Sequence, residues 1–357
     1  MSGPLRIRDA RQTDEPALRA LTETGMDGLV RLAFPQAPDF FAAEKIRGET
    51  RLGILTDDSD AVLGCGARVV RRAWLAGAWQ RTGYYCTLRA GSAGRNVRAV
   101  KTAYTWARKV EASDPLPLVT STILSDNARA LRLLTSRRFG LPAYLPAGEI
   151  VTFTATPCAV RSLGGGDAIE SVSGTEVGED ALRAFYACAE GRPPLFPELT
   201  DPFPPGLALS DFIVLRRAGR IVAAAALWDQ RQQRQVRILG YAPWLRVLRP
   251  FANVGLACFG LPRLPPPGGE LAVRYLAFRR IPSGEPALFI ALLRAAASRV
   301  PRGEVLSFSL HERDVQMATL VRLRALRTRS HLFTLSYGED PQPVVFPSAP
   351  YIEAAML

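Results

Sequence analysis

The stretch from Tyr84 to Phe139 constrains the fold most strongly, because its pattern predicts strand, helix, strand and helix in succession. Residues 83–89 carry aromatic and β-branched side chains, which strands favour. A short turn with two glycines, at 90–94, ends that strand. The apolar residues that follow recur at helical spacing on one face: Val97, Val100, Tyr104 and Ala107. This order of elements indicates an α/β fold.

The joint between the first strand and the first helix is suited to an anion. A helix start presents unpaired backbone N–H groups and the positive end of the helix dipole. Glycines in the turn let the backbone approach a ligand closely, and Arg95 and Arg98 add positive charge. The joint therefore predicts a pyrophosphate site, although an ordinary strand-to-helix turn has the same local pattern.

The second strand and helix of this stretch resemble those of a known family. Residues 118–123 predict the strand, and the sequence Ser-Asp-Asn ending at Asn127 predicts a helix cap. The GNAT N-acyltransferase superfamily has the signature Asn-x-x-Ala-x-x-Leu-x-x-x-x-x-Phe. Four residues of this chain are similar to it in type and spacing: Asn127, Ala130, Leu133 and Phe139. The order of elements resembles that family over about the first 155 residues.

The resemblance implies an acyl-CoA donor, acetyl-CoA or another acyl-CoA, bound by the first half of the chain. It implies a donor site of nine residues: Cys86, Leu88, Arg89, Arg95, Asn96, Val97, Arg98, Asn127 and Ala130. The family loop usually reads Arg-Gly-x-Gly, whereas here neither glycine is present at 95–98. The residue that follows the Leu of the helix signature is often a Tyr acting as general acid, and here it is Leu134.

The rest of the chain predicts two modules with the same order of elements. We expect two tandem GNAT-like domains, each a mixed, mostly antiparallel sheet flanked by helices. The first domain occupies 1–157, and a glycine-containing segment at 158–168 predicts a flexible linker. The second domain occupies 169–338, and 339–357 forms a C-terminal tail.

The second domain keeps the order of elements but not the motifs. The sequence Pro-Ser-Gly-Glu-Pro at 282–286 replaces the basic loop, and its two prolines remove backbone donors. We therefore expect a degenerate domain that binds CoA poorly. An insertion at 241–267 is rich in Trp, Leu, Pro and Arg, and a helix is predicted at 314–326.

The charge of the chain favours anionic partners. Its 357 residues carry a formal net charge of +12, which suits CoA phosphates, an acidic carrier protein, tRNA or a membrane surface. Five widely spaced cysteines without ligand spacing argue against a zinc site and favour a reducing compartment. Because there is no signal-peptide core and no apolar run of spanning length, we expect a cytoplasmic protein without a membrane span.

The chemistry of acyl transfer from a thioester to an amine calls for a proton donor to the leaving thiolate. Strand alternation places Tyr84 and Tyr85 on opposite faces, one toward the core and one toward the substrate channel. Either tyrosine is a candidate general acid, and either could instead be a core aromatic. Cys86 has no histidine in the first module to activate it. His311, at the end of a predicted strand, is a further candidate base.

Three functions stay open at this point. The first is an acyl-CoA-dependent N-acyltransferase that acts on an amine of a small molecule or peptide. The second is a transferase that takes its donor from aminoacyl-tRNA or an acyl carrier protein, which the missing glycines and the positive charge favour. The third is a catalytically inert GNAT-like binding protein, which Leu134 favours.

Overall fold

The computed structural model describes residues 4–23, 30–36, 38–91, 94, 97–164, 169–259 and 261–357. The strands in these residues are β1 (Arg6–Asp9), β2 (Val30–Ala33), β3 (Glu49–Thr56), β4 (Val62–Leu75), β5 (Ala78–Ala90), β6 (Val119–Leu124), β7 (Ala143–Ala155), β8 (Glu170–Ser173), β9 (Phe212–Arg217), β10 (Arg220–Asp229), β11 (Arg237–Tyr241), β12 (Val273–Arg280), β13 (Val305–His311) and β14 (Leu326–Ser336). The α-helices are α1 (Glu15–Glu23), α2 (Phe40–Glu44), α3 (Val97–Ser113), α4 (Ala128–Leu134), α5 (Pro157–Arg161), α6 (Gly174–Val177), α7 (Glu179–Ala187), α8 (Pro243–Cys258) and α9 (Pro286–Arg299).

One twelve-stranded sheet runs through the described residues, and β2 pairs with β11 in a separate two-stranded sheet. The order of the large sheet is β1-β3-β4-β5-β6-β14-β7-β13-β12-β10-β9-β8. The order is symmetric about its centre. Counting inward from the two edges, β1 corresponds to β8, β3 to β9, β4 to β10, β5 to β12 and β6 to β13. Among the described pairs, β5 with β6 and β12 with β13 are parallel and the others are antiparallel. This confirms the predicted α/β class with a mixed, mostly antiparallel sheet.

The two halves exchange their last strands at the centre of the sheet. Strand β14 pairs with β6 of the first half, for example at Phe333↔Ser121. Strand β7 of the first half pairs with β13, for example at Phe153↔Phe308. The exchanged strands β7 and β14 also pair with each other. The two modules consequently share one continuous sheet. In it, β14 of the second half lies beside β6 of the first half, and β7 of the first half lies beside β13 of the second half.

Helices cover both faces of this sheet. In the first half, α3 and α4 pack on the face that carries Tyr85, while α1 and α2 pack on the other face around Phe40. In the second half, α5 and α9 cover one face and α7 the other. The exchange extends into these cores, because Phe333 of β14 packs in the first-half core. Phe153 of β7 stacks on Phe308 in the second-half core, with ring centroids 5.4 Å apart.

The end of the predicted tail is buried. Residues 351–356 are each at most 7 % exposed. Ile352 packs with Leu118, just before β6, and with Leu332 of β14, and Ala355 packs in the second-half core. This segment thus fills space between the two halves.

Three segments differ from the sequence expectations. The predicted linker begins with α5, because Thr156 caps a helix that buries Ala159 and Val160. The predicted insertion contains α8, with Pro243 in its first turn. The predicted helix at 314–326 is reduced to the 3₁₀ helix Val315–Leu320, because pairing with β7 draws the chain from Leu326 onward into β14.

The strand exchange predicts a large effect of Phe333→Ala on stability. Phe333 is 5 % exposed in the first-half core, so truncation should lower the free energy of unfolding by about 3–5 kcal/mol. Val321→Ala is the control, since Val321 is 74 % exposed and its truncation should cost less than about 0.5 kcal/mol. Urea unfolding followed by circular dichroism measures both. Similar losses in the two variants would contradict the exchanged packing.

Candidate active site

The first-half sheet opens between β5 and β6. The two strands pair in parallel from Gly83↔Val119 to Tyr85↔Ser121, and their pairing stops there. Strand β5 continues to Ala90, and Thr87 has a positive φ of 53° where the register with β4 shifts. A β-bulge at this point increases the local twist and bends the strand. The bend separates the ends of two neighbouring parallel strands and creates a cleft.

The mouth of this cleft carries exposed apolar side chains. Leu88 on β5 is 45 % exposed, and Val97 at the start of α3 is 48 % exposed. Arg98 is exposed in the first turn of α3. A Cβ on Gly94 would lie 2.5 Å from the carbonyl oxygen of Leu63, so close packing against β4 requires this glycine. The predicted donor residues Arg95 and Asn96 lie outside the described residues.

Helix α4 begins as the sequence predicts. Asn127 caps it, with its side-chain oxygen accepting a hydrogen bond from the N–H of Ala130 at 3.1 Å. Leu134 is 5 % exposed and packs with Tyr104 of α3 in the first-half core. Asn127 remains exposed in the short turn between β6 and α4. Because α4 and α3 both follow the diverging strands, the two helix starts flank the same cleft.

Tyr84 and Tyr85 have different surroundings. Tyr85 packs in the core beneath α3, 3.5 Å from the carbonyl oxygen of Ala107, and burial raises its pKa. Tyr84 faces the other side of β5, with its hydroxyl 2.6 Å from Thr122 Oγ1 and its ring beneath Arg71. Burial raises the pKa of Tyr84 as well, so both hydroxyls keep their protons at neutral pH.

Tyr84 lines a small cavity between the two halves. The cavity measures about 10 Å³, which is about the space that one water needs. Arg71 and Thr122 line it with Tyr84, and Ile352 and Leu357 close it from the C-terminal segment. Arg71 Nη1 is buried there and has no hydrogen-bond partner among the described residues. Of the two tyrosines, Tyr84 lines this cavity and Tyr85 does not.

The remaining predicted donor residues on β5 are Cys86 and Arg89. Burial raises the pKa of the Cys86 thiol, even though Arg47 lowers it, so Cys86 is a poor nucleophile at neutral pH. Arg89 donates a hydrogen bond from Nη1 to the carbonyl oxygen of Leu88 at 3.4 Å. Burial lowers the pKa of its guanidinium, and its Nε has no partner among the described residues. Both side chains lie along the strand that borders the cleft.

A buried acid and base beside Thr87 were not singled out from the sequence. Glu44 is 2 % exposed, and its Oε1 accepts hydrogen bonds from Gln36 and Arg47. Its Oε2 is buried without a hydrogen-bond partner among the described residues. Arg47 also donates to Thr87 Oγ1 at 3.3 Å and to the carbonyl oxygen of Leu357 at 3.3 Å. Burial lowers the pKa of Arg47, but Glu44 and other neighbours outweigh that effect and raise it overall.

The signal for this pair was present in the sequence. Glu44 and Arg47 stand one helical turn apart, next to the aromatic residues Phe40 and Phe41. A charged pair at that spacing beside an apolar run can lie on the buried side of a helix. Here α2 ends at Glu44, and the chain turns so that the Arg47 side chain reaches Thr87 of β5 while it binds Glu44.

The counterpart cleft in the second half is filled by the chain itself. Strands β12 and β13 pair in parallel up to Tyr275↔Ser307, and Phe278 has a positive φ of 51°, as Thr87 does. The N–H of Phe278 donates to Glu353 Oε2 at 2.6 Å, and Tyr351 donates its hydroxyl to the same carboxylate at 2.7 Å. The C-terminal segment therefore occupies this opening.

Solved structures match nearly the whole chain. A conserved protein of unknown function from Enterococcus faecalis, described as a probable N-acyltransferase, has a TM-score of 0.51 and 9 % identity over 93 % of this chain and 72 % of its own. A GCN5-related N-acetyltransferase from Anabaena variabilis has a TM-score of 0.53 and 10 % identity over 94 % and 73 %. N-myristoyltransferase from Saccharomyces cerevisiae, with bound myristoyl-CoA, has a TM-score of 0.55 and 9 % identity over 94 % and 80 %.

The chain has the GNAT fold. No protein-family model matches its sequence, and a search of curated proteins finds no match. Of the described helices, none is long and apolar enough to cross a membrane. The likeness to solved structures thus concerns the fold alone.

The two strand-to-helix joints of the GNAT fold differ in charge. In the first half, Arg98 lies in the first turn of α3. In the second half, Glu285 is the N-cap of α9 and forms an ion pair with Arg217 at 3.0 Å, and Pro286 provides no N–H. A carboxylate at a helix start occupies the place that a phosphate would favour. The second joint is therefore poorly suited to an anion.

His311 lies away from the first-half cleft. Its ring is 1 % exposed, its Nε2 lies 2.9 Å from the carbonyl oxygen of Ala147, and its Nδ1 accepts from the N–H of Arg313 at 3.2 Å. Burial lowers its pKa, which favours the neutral ring. The geometry fits a neutral imidazole that donates through Nε2 and connects β13 to β7.

Proposed function

We propose that this protein is an acyl-CoA-dependent N-acyltransferase that holds its donor between β5 and β6. The observation that carries the proposal is the open, bulged divergence of these strands after Tyr85↔Ser121, in contrast to the second-half cleft that Glu353 fills. The GNAT fold supports the same reaction class by likeness. The yeast N-myristoyltransferase with its bound myristoyl-CoA supports an acyl-CoA as the donor.

The residues around the first cleft fit such a donor. From Cys86 to Ala90, β5 runs past its last pair with β6, so the backbone groups at that edge can pair with the amides of a pantetheine arm. Leu88 and Val97 provide exposed apolar walls. The start of α3 with Arg98 provides N–H groups and positive charge for a pyrophosphate.

The proposed reacting groups lie on the face of β5 that is opposite to Tyr85 and α3. We assign Tyr84 as the general acid, because its protonated hydroxyl faces the cavity between the halves. We assign Glu44 as the proton acceptor for the amine, because Oε2 is its unpartnered oxygen. The ion pair with Arg47 holds the Glu44 side chain in place. A C–N bond forms as the C–S bond breaks, and the thiolate takes the proton of Tyr84.

A donor carried by tRNA or an acyl carrier protein is the second candidate. The net charge of +12 and the absence of both loop glycines at 95–98 favour it. A CoA compound retained through purification would support the first candidate. Strongly salt-dependent retention of tRNA would support the second.

Arg98→Ala should weaken CoA binding about ten- to hundredfold, since a charge-assisted phosphate contact contributes roughly 1.5–3 kcal/mol. The sequence predicts the same for Arg95→Ala. Arg108→Ala is the matched control, because Arg108 lies on the same helix about 15 Å from Arg98. Titration calorimetry on the full chain should give one site per chain. Unchanged affinity for both Arg98→Ala and Arg95→Ala, or a stoichiometry of two, would exclude this donor site.

Tyr84→Phe should lower kcat roughly tenfold or more while leaving CoA affinity unchanged, because only the proton donor is lost. Tyr85→Phe keeps the ring in the core beneath α3 and should leave kcat near the wild-type value. Steady-state kinetics with an acyl-CoA and a panel of amines compares the two variants. Equal kcat values for Tyr84→Phe and the wild type would remove Tyr84 from the mechanism.

Glu44→Gln should lower kcat by roughly a hundredfold at neutral pH, within the usual range for loss of a general base. The loss should shrink as pH rises, because more of the amine is then already deprotonated. The pH profile distinguishes this role from a structural one, which would lower activity equally at every pH. Circular dichroism and CoA titration check that the variant folds. An unchanged pH profile would contradict the assignment.

A further inference from the structure

Helix α8 exposes a continuous apolar stripe. The stripe consists of five side chains at helical spacing, which are 49–76 % exposed: Trp244, Val247, Leu248, Phe251 and Val254. Phe259, just after the helix, is 61 % exposed and extends the apolar surface. Monomeric proteins rarely expose contiguous apolar patches larger than a few hundred Å². Such a stripe on one helix therefore indicates an interaction surface.

Polar contacts on the other face hold the helix in this orientation. Asn253 exchanges two hydrogen bonds with the backbone of Leu264, at 3.0 Å and 2.7 Å. Arg249 donates to the same carbonyl oxygen at 3.1 Å, and Tyr241 donates its hydroxyl to the carbonyl oxygen of Pro265 at 2.5 Å. The segment after α8 thus binds the polar side of the helix through the backbone of Leu264. The apolar stripe is fixed on the outward side.

The charge around the stripe has one sign. Residues 242–269 contain three arginines, Arg246, Arg249 and Arg263, and no Asp or Glu. Arg246 and Arg263 are exposed. A second copy of this chain would add another net charge of +12, which opposes self-association. An anionic surface would instead be complementary to this region.

We propose that α8 is a docking surface for an anionic lipid bilayer, on which the protein lies peripherally. A helix with Trp, Phe and Leu on its outward face, in a segment that also exposes Arg246 and Arg263, suits the boundary between headgroups and acyl chains. The aromatic rings of Trp244 and Phe251 enter the boundary while the exposed Arg246 and Arg263 contact lipid phosphates.

Vesicle flotation with the full chain tests this proposal. The protein should bind vesicles of phosphatidylcholine with phosphatidylglycerol at least about tenfold more tightly than vesicles of phosphatidylcholine alone, and added salt should reduce the difference. The double variant Val247→Gln, Phe251→Gln should lose at least about tenfold in binding to the anionic vesicles. Both residues are more than 70 % exposed, so the folded state should tolerate the change.

The matched control is Val315→Gln, Val321→Gln, which replaces two valines that are 69 % and 74 % exposed on another part of the chain. It should bind anionic vesicles as the wild type does. Failure of the wild type to bind these vesicles, or equal binding by the α8 variant, would overturn the proposal. A wild-type dimer in sedimentation that the α8 variant abolishes would overturn it in favour of a second copy as the occupant.

Discussion

The pairing of β7 with β14 holds the two halves of this protein together. Each of these strands also pairs with a strand of the other half, so the hydrogen bonds of the central sheet connect both modules. Side chains on the exchanged strands then fill the opposite cores, as Phe333 and Phe153 do. The C-terminal segment can pack between the halves only because this shared sheet brings them side by side.

This arrangement makes the two similar clefts unequal. Both halves keep a parallel strand pair and a positive-φ bulge, at Thr87 and Phe278. The chain end passes through the second cleft, where Glu353 accepts the N–H of Phe278. The first cleft has exposed apolar walls and is bordered by Arg47, Glu44 and Tyr84, which lie where the halves meet. The chain end thus fills the second cleft, and the first cleft stays open.

Local sequence patterns predicted the helices and strands around this first cleft. They did not predict features that depend on contacts between residues far apart in the sequence. The spacing from Val97 to Ala107 defined α3, and Asn127 caps α4 as expected, because both signals act within a few residues. The strand exchange depends on pairing between residues roughly two hundred positions apart, such as Ser121 and Phe333, which periodicity does not encode. For the same reason Arg47 and its partner Glu44 were recognised only through the contact of Arg47 with Thr87, and the structural role of His311 only through its contact with Ala147.

The central claim is that the protein binds one acyl-CoA, between β5 and β6. A crystal structure of the full chain with a non-hydrolysable acyl-CoA analogue tests it most directly. The account predicts the pantetheine arm along Cys86–Ala90, the pyrophosphate at the start of α3, and Glu353 still bonded to Phe278. A donor bound between β12 and β13, with Glu353 displaced, would contradict it.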